Sequence, residues 1–153
     1  MPSRSCRRVQ RISSSSSERE TAALGGALAR VLPAGAIVYV EGALGAGKTA
    51  FVRGAAEALG VREPVTSPTF TVAHLYEGDE GSVAHLDLYR SVSMGDEDLA
   101  DLEPYLDGVR ATFIEWAIRG AGMLPPADVR VHLRIGEGDR REIEIAGPAA
   151  ESP

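Results

Sequence analysis

The chain has 153 residues, 44% hydrophobic and 25% charged, one domain's worth of a composition ordinary for a soluble globular protein. No apolar run approaches the ~20 residues of a membrane span, no apolar segment follows basic residues 1–11 as a secretory signal requires, and the single Cys6 allows no internal disulfide, so a cytoplasmic protein without membrane contact is expected. The net charge is −6, and because residues 1–17 hold four arginines and no acid the remainder carries −10, which repels a polyanion over the roughly 8–10 Å Debye length and argues against extensive direct nucleic-acid binding.

Residues 1–17 contain Arg4, Arg7, Arg8 and Arg11 and end in the serine run 13–17. With so little apolar surface to bury they read as a disordered tail. A single folded domain is expected over 18–147, followed by a flexible end at 148–153. Leu24, Leu28 and Val31 recur at helical spacing until Pro33-Ala34-Gly35 stops the helix. Residues 37–40, Ile-Val-Tyr-Val, form a short β-branched run and predict a buried strand. A glycine-rich segment follows, then a second helix from about Lys48 to Leu59, with Phe51, Ala55 and Leu59 on one face and Gly60 at its end.

Residues 66–69, Thr-Ser-Pro-Thr, form a polar turn. Strands are predicted over 70–76 and 83–89, and the short glycine-containing link between them makes an antiparallel hairpin. Residues 94–106 are acidic and weakly helical. Residues 111–116 give another strand, Leu124-Pro125-Pro126 a break, and 129–135 with 141–146 a final hairpin of alternating polar and apolar residues. Helices and strands interleave, so the fold class is α/β with a mixed central sheet.

Gly42-Ala43-Leu44-Gly45-Ala46-Gly47-Lys48-Thr49 is a complete P-loop, with a predicted buried strand before it and a helix after it. Its three glycines let the backbone turn so that successive N–H groups face one anion. The helix that follows adds its own free N–H groups and the positive end of its dipole. Lys48 supplies a point charge for the β- and γ-phosphates, and the Thr49 hydroxyl is a magnesium ligand. The expected phosphate contacts are Gly42, Leu44, Gly45, Ala46, Gly47, Lys48, Thr49 and Ala50. These residues predict a three-layer, P-loop NTPase-like fold that binds a nucleoside triphosphate with magnesium.

Such a site needs a carboxylate on the magnesium side. Asp87 lies in His85-Leu86-Asp87-Leu88-Tyr89, where strand alternation puts His85, Asp87 and Tyr89 on one polar face and the leucines on a core face. Glu115 follows Phe113-Ile114 at a strand end, where it could meet magnesium or orient a water. His85 reads as a packed or hydrogen-bonded imidazole, and Trp116 as a core residue unless it meets nucleotide. Thr66, Ser67 and Thr69 stand where switch segments that sense the γ-phosphate sit.

These residues together resemble the TsaE family (older name YjeE), P-loop ATPases required to make threonylcarbamoyladenosine in bacterial tRNA. The resemblance runs from about Thr21 to Gly147. It rests on Thr21-Ala22-Ala23-Leu24-Gly25, Leu44 to Thr49, Thr66-Ser67-Pro68-Thr69-Phe70-Thr71, His85-Leu86-Asp87-Leu88-Tyr89-Arg90 and Ile114-Glu115-Trp116-Ala117. It implies ATP and ADP as ligands with Mg2+, and hydrolysis that is slow without partners. The partners it implies are TsaB and TsaD, which carry the transferase and are reset by the ATPase, so that tRNA is met only indirectly.

By the same resemblance Lys48, Asp87 and Glu115 form the catalytic group, and Thr49, Asp87 and Glu115 the metal group. Thr21, Trp116 and Arg140, with Arg141 beside it, lie near the nucleotide. Three positions depart from the family pattern. Ala43 stands where Asp is usual, Ala50 where a second hydroxyl residue is common, and Ile118 where an acid often follows the Trp-Ala pair. The alternative reading is a P-loop small-molecule or nucleotide kinase. It needs an acceptor pocket and a lid bearing arginines, whereas Arg90, Arg110 and Arg119 are scattered along the chain. A nucleotide-dependent assembly switch without useful hydrolysis is a further alternative, of a different class.

Overall fold

The computed structural model of the chain describes residues 8–66, 73–88, 102–117 and 124–148. Among these, the elements follow in the order β1 (Arg8–Ser15), α1 (Glu18–Val31), β2 (Ala36–Gly42), α2 (Lys48–Ala58), β3 (Ala73–Gly78), β4 (Gly81–Asp87), β5 (Ala111–Glu115), β6 (Val129–Ile135) and β7 (Arg141–Pro148). All seven strands join one sheet in the spatial order β1-β7-β6-β2-β5-β4-β3. The four central strands, β6, β2, β5 and β4, run parallel. Antiparallel pairs close both sides, β3 on β4 and then β7 on β6 with β1 on β7. The expected α/β class with a mixed sheet is what the structure has. Among the described residues no helix is long and apolar enough to cross a membrane.

Strand alternation sorts the core into two clusters. Val38, Val40, Val83, Phe113, Val131 and Leu133 point to the face covered by α1 and α2, where Phe51, Val52 and Ala55 of α2 meet them. Tyr39, Leu86, Leu88 and Ile114 point to the other face, against Leu102 and Ala117, with helical residues 102–106 on that side. The polar residues of the last hairpin lie on the second face as well. There Arg134 bridges Glu142 at 3.0 Å and Glu144 at 3.1 Å.

The two helices begin in opposite ways. At the start of α1, Ser17 accepts the amide of Glu20 at 3.1 Å, and the Glu20 carboxylate turns back to the amide of Ser16. That is a near-complete capping box, with acids in the first turn to complement the dipole. At the start of α2, Gly47 lies in the left-handed region at φ 99°. No side chain caps this helix, and its first turn holds no acid. The helices pack backbone to backbone through Gly25 and Gly54: a Cβ on Gly54 would lie 1.8 Å from the Ala22 carbonyl oxygen, and one on Gly25 2.0 Å from that of Phe51.

Two expectations need correction. Residues 1–17 are not a disordered tail throughout, because Arg8–Ser15 forms β1, paired antiparallel along the whole of β7. The low apolar content is accurate, with Ile12 60% exposed. A strand on a sheet edge, however, is held by ladder hydrogen bonds, which need no apolar side chain. Its end is also anchored by side chains, as buried Ser15 meets the buried Thr21 hydroxyl at 2.7 Å. The second correction concerns β4. Only the leucine face was expected to be core, with the His85–Asp87 face polar, but Val83, Ala84, His85 and Leu86 are all buried, since a strand inside a sheet covered on both sides has no solvent face; His85 itself is the packed, hydrogen-bonded imidazole that was expected. Of the predicted 70–76 and 83–89 hairpin, residues 70–72 and Tyr89 lie outside the described residues, as do most of 94–106 and five of the six switch residues at 66–71.

Candidate nucleotide site

The P-loop leaves the C-terminal end of β2 and enters α2. Gly42 is tightly enclosed, since a Cβ there would sit 2.6 Å from the carbonyl oxygen of Leu133 on β6, so the loop lies directly on its neighbouring strand. A turn follows in which the Ala46 amide donates to Ala43 O at 3.1 Å. Ala46 is fully buried, while Leu44 is 62% exposed at the crown. The left-handed Gly47 then starts α2 and leaves the first-turn amides of Lys48, Thr49 and Ala50 without a side-chain acceptor. An uncapped, acid-free helix start beside a turn of small residues is chemically matched to an anion.

Lys48 is the only lysine in the chain and is nearly buried. Its Nζ donates to Gly42 O at 2.7 Å and Ala43 O at 2.9 Å, and lies 4.6 Å from the centre of the Trp116 ring. Burial holds this ammonium below the ordinary lysine range, and the carboxylates of Glu115 and Asp87 pull it partly back up. Both acids therefore lie close enough to Lys48 to act on its charge. They end neighbouring parallel strands in the same register, Asp87 on β4 opposite Glu115 on β5, and Glu115 opposite Val40 of β2 on its other side.

Glu115 is buried, and its Oε2 meets Nε2 of fully buried His85 at 2.5 Å. Trp116 follows at φ 59°, the one non-glycine residue with positive φ among the described residues. A bulky residue is rarely held there unless its surroundings compel it. The turn ends β5 immediately after Glu115 and brings the indole over Lys48, while the side chain packs partly on the second core cluster.

The remaining expected contacts fall less evenly. Thr21 backs the loop, its methyl 3.6 Å from where a Gly47 Cβ would be, but its hydroxyl is engaged by Ser15. The Arg140 side chain is exposed on the β6–β7 turn, where its backbone closes the turn with Gly136 and Glu137. The neighbouring Arg141 is the arginine that touches the loop, its Nη2 3.3 Å from Gly45 O. Among the described residues no three His, Cys, Asp or Glu side chains gather as a metal site. The oxygen groups that could hold a magnesium ion here are the Thr49 hydroxyl and the carboxylates of Asp87 and Glu115. This hard, carboxylate-poor set suits magnesium, which completes its shell from phosphates and water.

The family model described as threonylcarbamoyl adenosine biosynthesis protein TsaE matches residues 15–143 of the chain. The chain belongs to the TsaE family. It is 40% identical over 134 residues to the tRNA threonylcarbamoyladenosine biosynthesis protein TsaE of Treponema pallidum, covering 86% of this chain and 97% of that protein. The TsaE protein of Bacillus subtilis is 36% identical over 124 residues, covering 81% and 77%. Among solved structures, Bacillus subtilis YdiB superposes with a TM-score of 0.77 at 29% identity, covering 93% of this chain and 88% of that one. Membership assigns the chain to tRNA threonylcarbamoyladenosine biosynthesis. The matched span begins at Ser15, so it takes in the Ser15–Thr21 contact beneath the loop.

Proposed function

We propose that this chain is a magnesium-dependent ATP hydrolase that supports tRNA N6-threonylcarbamoyladenosine modification by binding and resetting the TsaB–TsaD transferase pair in the cytoplasm. The observation that carries the hydrolase reading is the placement of Lys48. It is the one lysine, held inside a P-loop at an uncapped helix start, within the field of two strand-end carboxylates.

Lys48 has two carbonyl partners that a phosphate oxygen can replace. The exchange replaces neutral carbonyl acceptors by a charged one, and a contact to a charged group is worth roughly 1.5–3 kcal/mol in binding, and more where charge develops in the transition state. The amides of Gly47, Lys48, Thr49 and Ala50 hold the phosphate chain in place. Thr49 and Asp87 would hold a magnesium ion, and Glu115 would meet it or orient a water on the same side. Magnesium, when bound, neutralises charge on the β- and γ-phosphates. The buried surroundings of Lys48 and Glu115 strengthen each of these contacts over what water would allow.

The partner assignment rests on the family resemblance and on charge. With Arg8 and Arg11 of β1 counted in the body, residues 8–153 still carry −8, which does not favour direct contact with tRNA, so the energy of hydrolysis is passed on through proteins. Such coupling requires that the partner bind one nucleotide state better than the other. The test is phosphate release by the free chain and by the chain mixed with purified TsaB and TsaD, with binding measured in ATP and ADP. Faster release in the mixture and tighter binding in one nucleotide state are expected. No binding in either state, or phosphorylation of a small metabolite by the free chain, would overturn the assignment.

A further inference from the structure

Glu115 is a buried acid at the centre of the candidate site, and the role of His85 beside it is not part of the hydrolase reading. His85 lies two residues before Asp87 on β4, and Glu115 two residues after Phe113 on β5, while His85 and Phe113 are in register. All four therefore share the face that looks toward α1 and α2. The imidazole is completely buried, its Nε2 sits 2.5 Å from Glu115 Oε2, and its buried Nδ1 has no hydrogen-bond partner among the described residues. The protonation pattern follows from that unpartnered atom. If Nδ1 carried a hydrogen, a donor would be buried without an acceptor. If Nε2 carries it, only a lone pair is left unmatched, and Nε2–H donates to Glu115 Oε2.

We infer that His85 is a positioning residue for Glu115. Its Nε2–H fixes Oε2 and so aims the carboxylate's other oxygen at the P-loop side. An apolar pair of similar volume would join β4 to β5 as well. What the imidazole adds is a fixed direction for the one carboxylate set between the P-loop strand and the Asp87 strand. Residues behind metal-site and catalytic carboxylates act in this way, and their loss commonly costs 10–100-fold in activity or metal affinity. The kinetic consequence rests on the hydrolase reading, whereas the tautomer and the pair do not.

The test has two arms. Nitrogen-15 NMR of histidine-labelled wild-type protein without nucleotide, at one pH near neutrality, should show one of the three histidines, assigned by its loss in His85→Gln, as the Nε2–H tautomer. The Nδ1–H tautomer, which leaves Nε2 without a hydrogen to donate, would overturn the inference. In the second arm, His85→Leu should lower kcat ~10–100-fold with the KM for ATP within about twofold. His85→Gln places an amide N–H near the Nε2 position and should recover most of the loss. Equal kcat in wild type and His85→Leu, or a folded His85→Gln no better than His85→Leu, would overturn it. Should wild type hydrolyse nothing in any partner mixture, the hydrolase reading fails. The tautomer, together with calorimetric Mg2+·ADP affinity of His85→Leu and His85→Gln, then decides the pair by itself.

Discussion

Replacing Gly54 by alanine sets two effects of known size against each other. In the middle of a helix alanine is favoured over glycine by about 1 kcal/mol, so propensity alone makes Gly54→Ala stabilising. Packing points the other way. The new Cβ would stand 1.8 Å from the Ala22 carbonyl oxygen, 2.4 Å from its carbon and 2.6 Å from its Cα. A carbon-to-oxygen contact closes at about 3.3 Å, so α1 and α2 must part locally by about 1.5 Å, and the obstacle is backbone that no rotamer change can move. Overpacking costs about 1–3 kcal/mol in ordinary cores, and a rigid obstacle belongs at the upper end. The net loss is then about 2 kcal/mol, or roughly 4–8 °C in melting temperature for a chain of this size. Circular dichroism melts and urea titrations measure it. Gly26→Ala is the matched control, because its Cβ would meet Gly54 O at 3.3 Å and should change stability by less than about 1 kcal/mol. A Gly54→Ala protein as stable as wild type would refute the claim that this helix contact, rather than helix propensity, dictates the glycine.

Lys48→Ala should abolish phosphate release and weaken nucleotide binding by roughly 1.5–3 kcal/mol, read by calorimetry; unchanged binding and turnover would remove the P-loop from the function. Because Lys48 is the only lysine, its carbon-13 Cε signal can be titrated without ambiguity, and it should titrate below 10.5 without nucleotide and move upward when phosphate binds. The sign for stability follows: below the folded pKa the buried ammonium disfavours the fold, and that penalty is relieved as pH rises from the folded value toward the unfolded value near ~10.4. Deleting residues 1–15 should lower the melting temperature, since it uncovers the edge of β7 and strips the buried Thr21 hydroxyl of Ser15, a loss of about 1–3 kcal/mol from the orphaned hydroxyl alone. An unchanged melt of the truncated chain would show that β1 contributes nothing to the fold.

What could be read from the sequence was whatever local pattern dictates. Val38, Val40, Phe51 and Ala55 announce a buried strand and the inner face of a helix, and both are buried where that pattern puts them. Asp87 and Glu115 each follow an apolar strand run, and the register brings them side by side. The illegible parts depend on partners far along the chain. Arg8–Ser15 has no strand-like apolar content, and only the presence of β7 beside it makes it a strand. Arg140 and Arg141 are indistinguishable by composition, and the hairpin geometry decides which one meets Gly45. His85 was legible as a packed or hydrogen-bonded imidazole, and it is fully buried. Its bond to Glu115 needed the β4–β5 register. The left-handed turn at Trp116 leaves no signal in a residue type that ordinarily avoids it.

The pairing of β1 with β7 joins segments from opposite ends of the chain, from Ser15 opposite Arg141 to Arg8 opposite Pro148. On the ribosome the first of these emerges long before the second exists. At about 5–20 residues per second, the ~130 residues between them take roughly 7–25 s to make. Throughout that interval β1 is an unpaired strand in a crowded solution, the condition under which edges join wrong neighbours. Its sequence, Arg-Val-Gln-Arg-Ile-Ser-Ser-Ser, suits the wait, with two positive charges and no apolar cluster to adhere to another nascent chain. The polarity that makes this segment look unstructured in isolation lets it remain soluble until the last strand arrives.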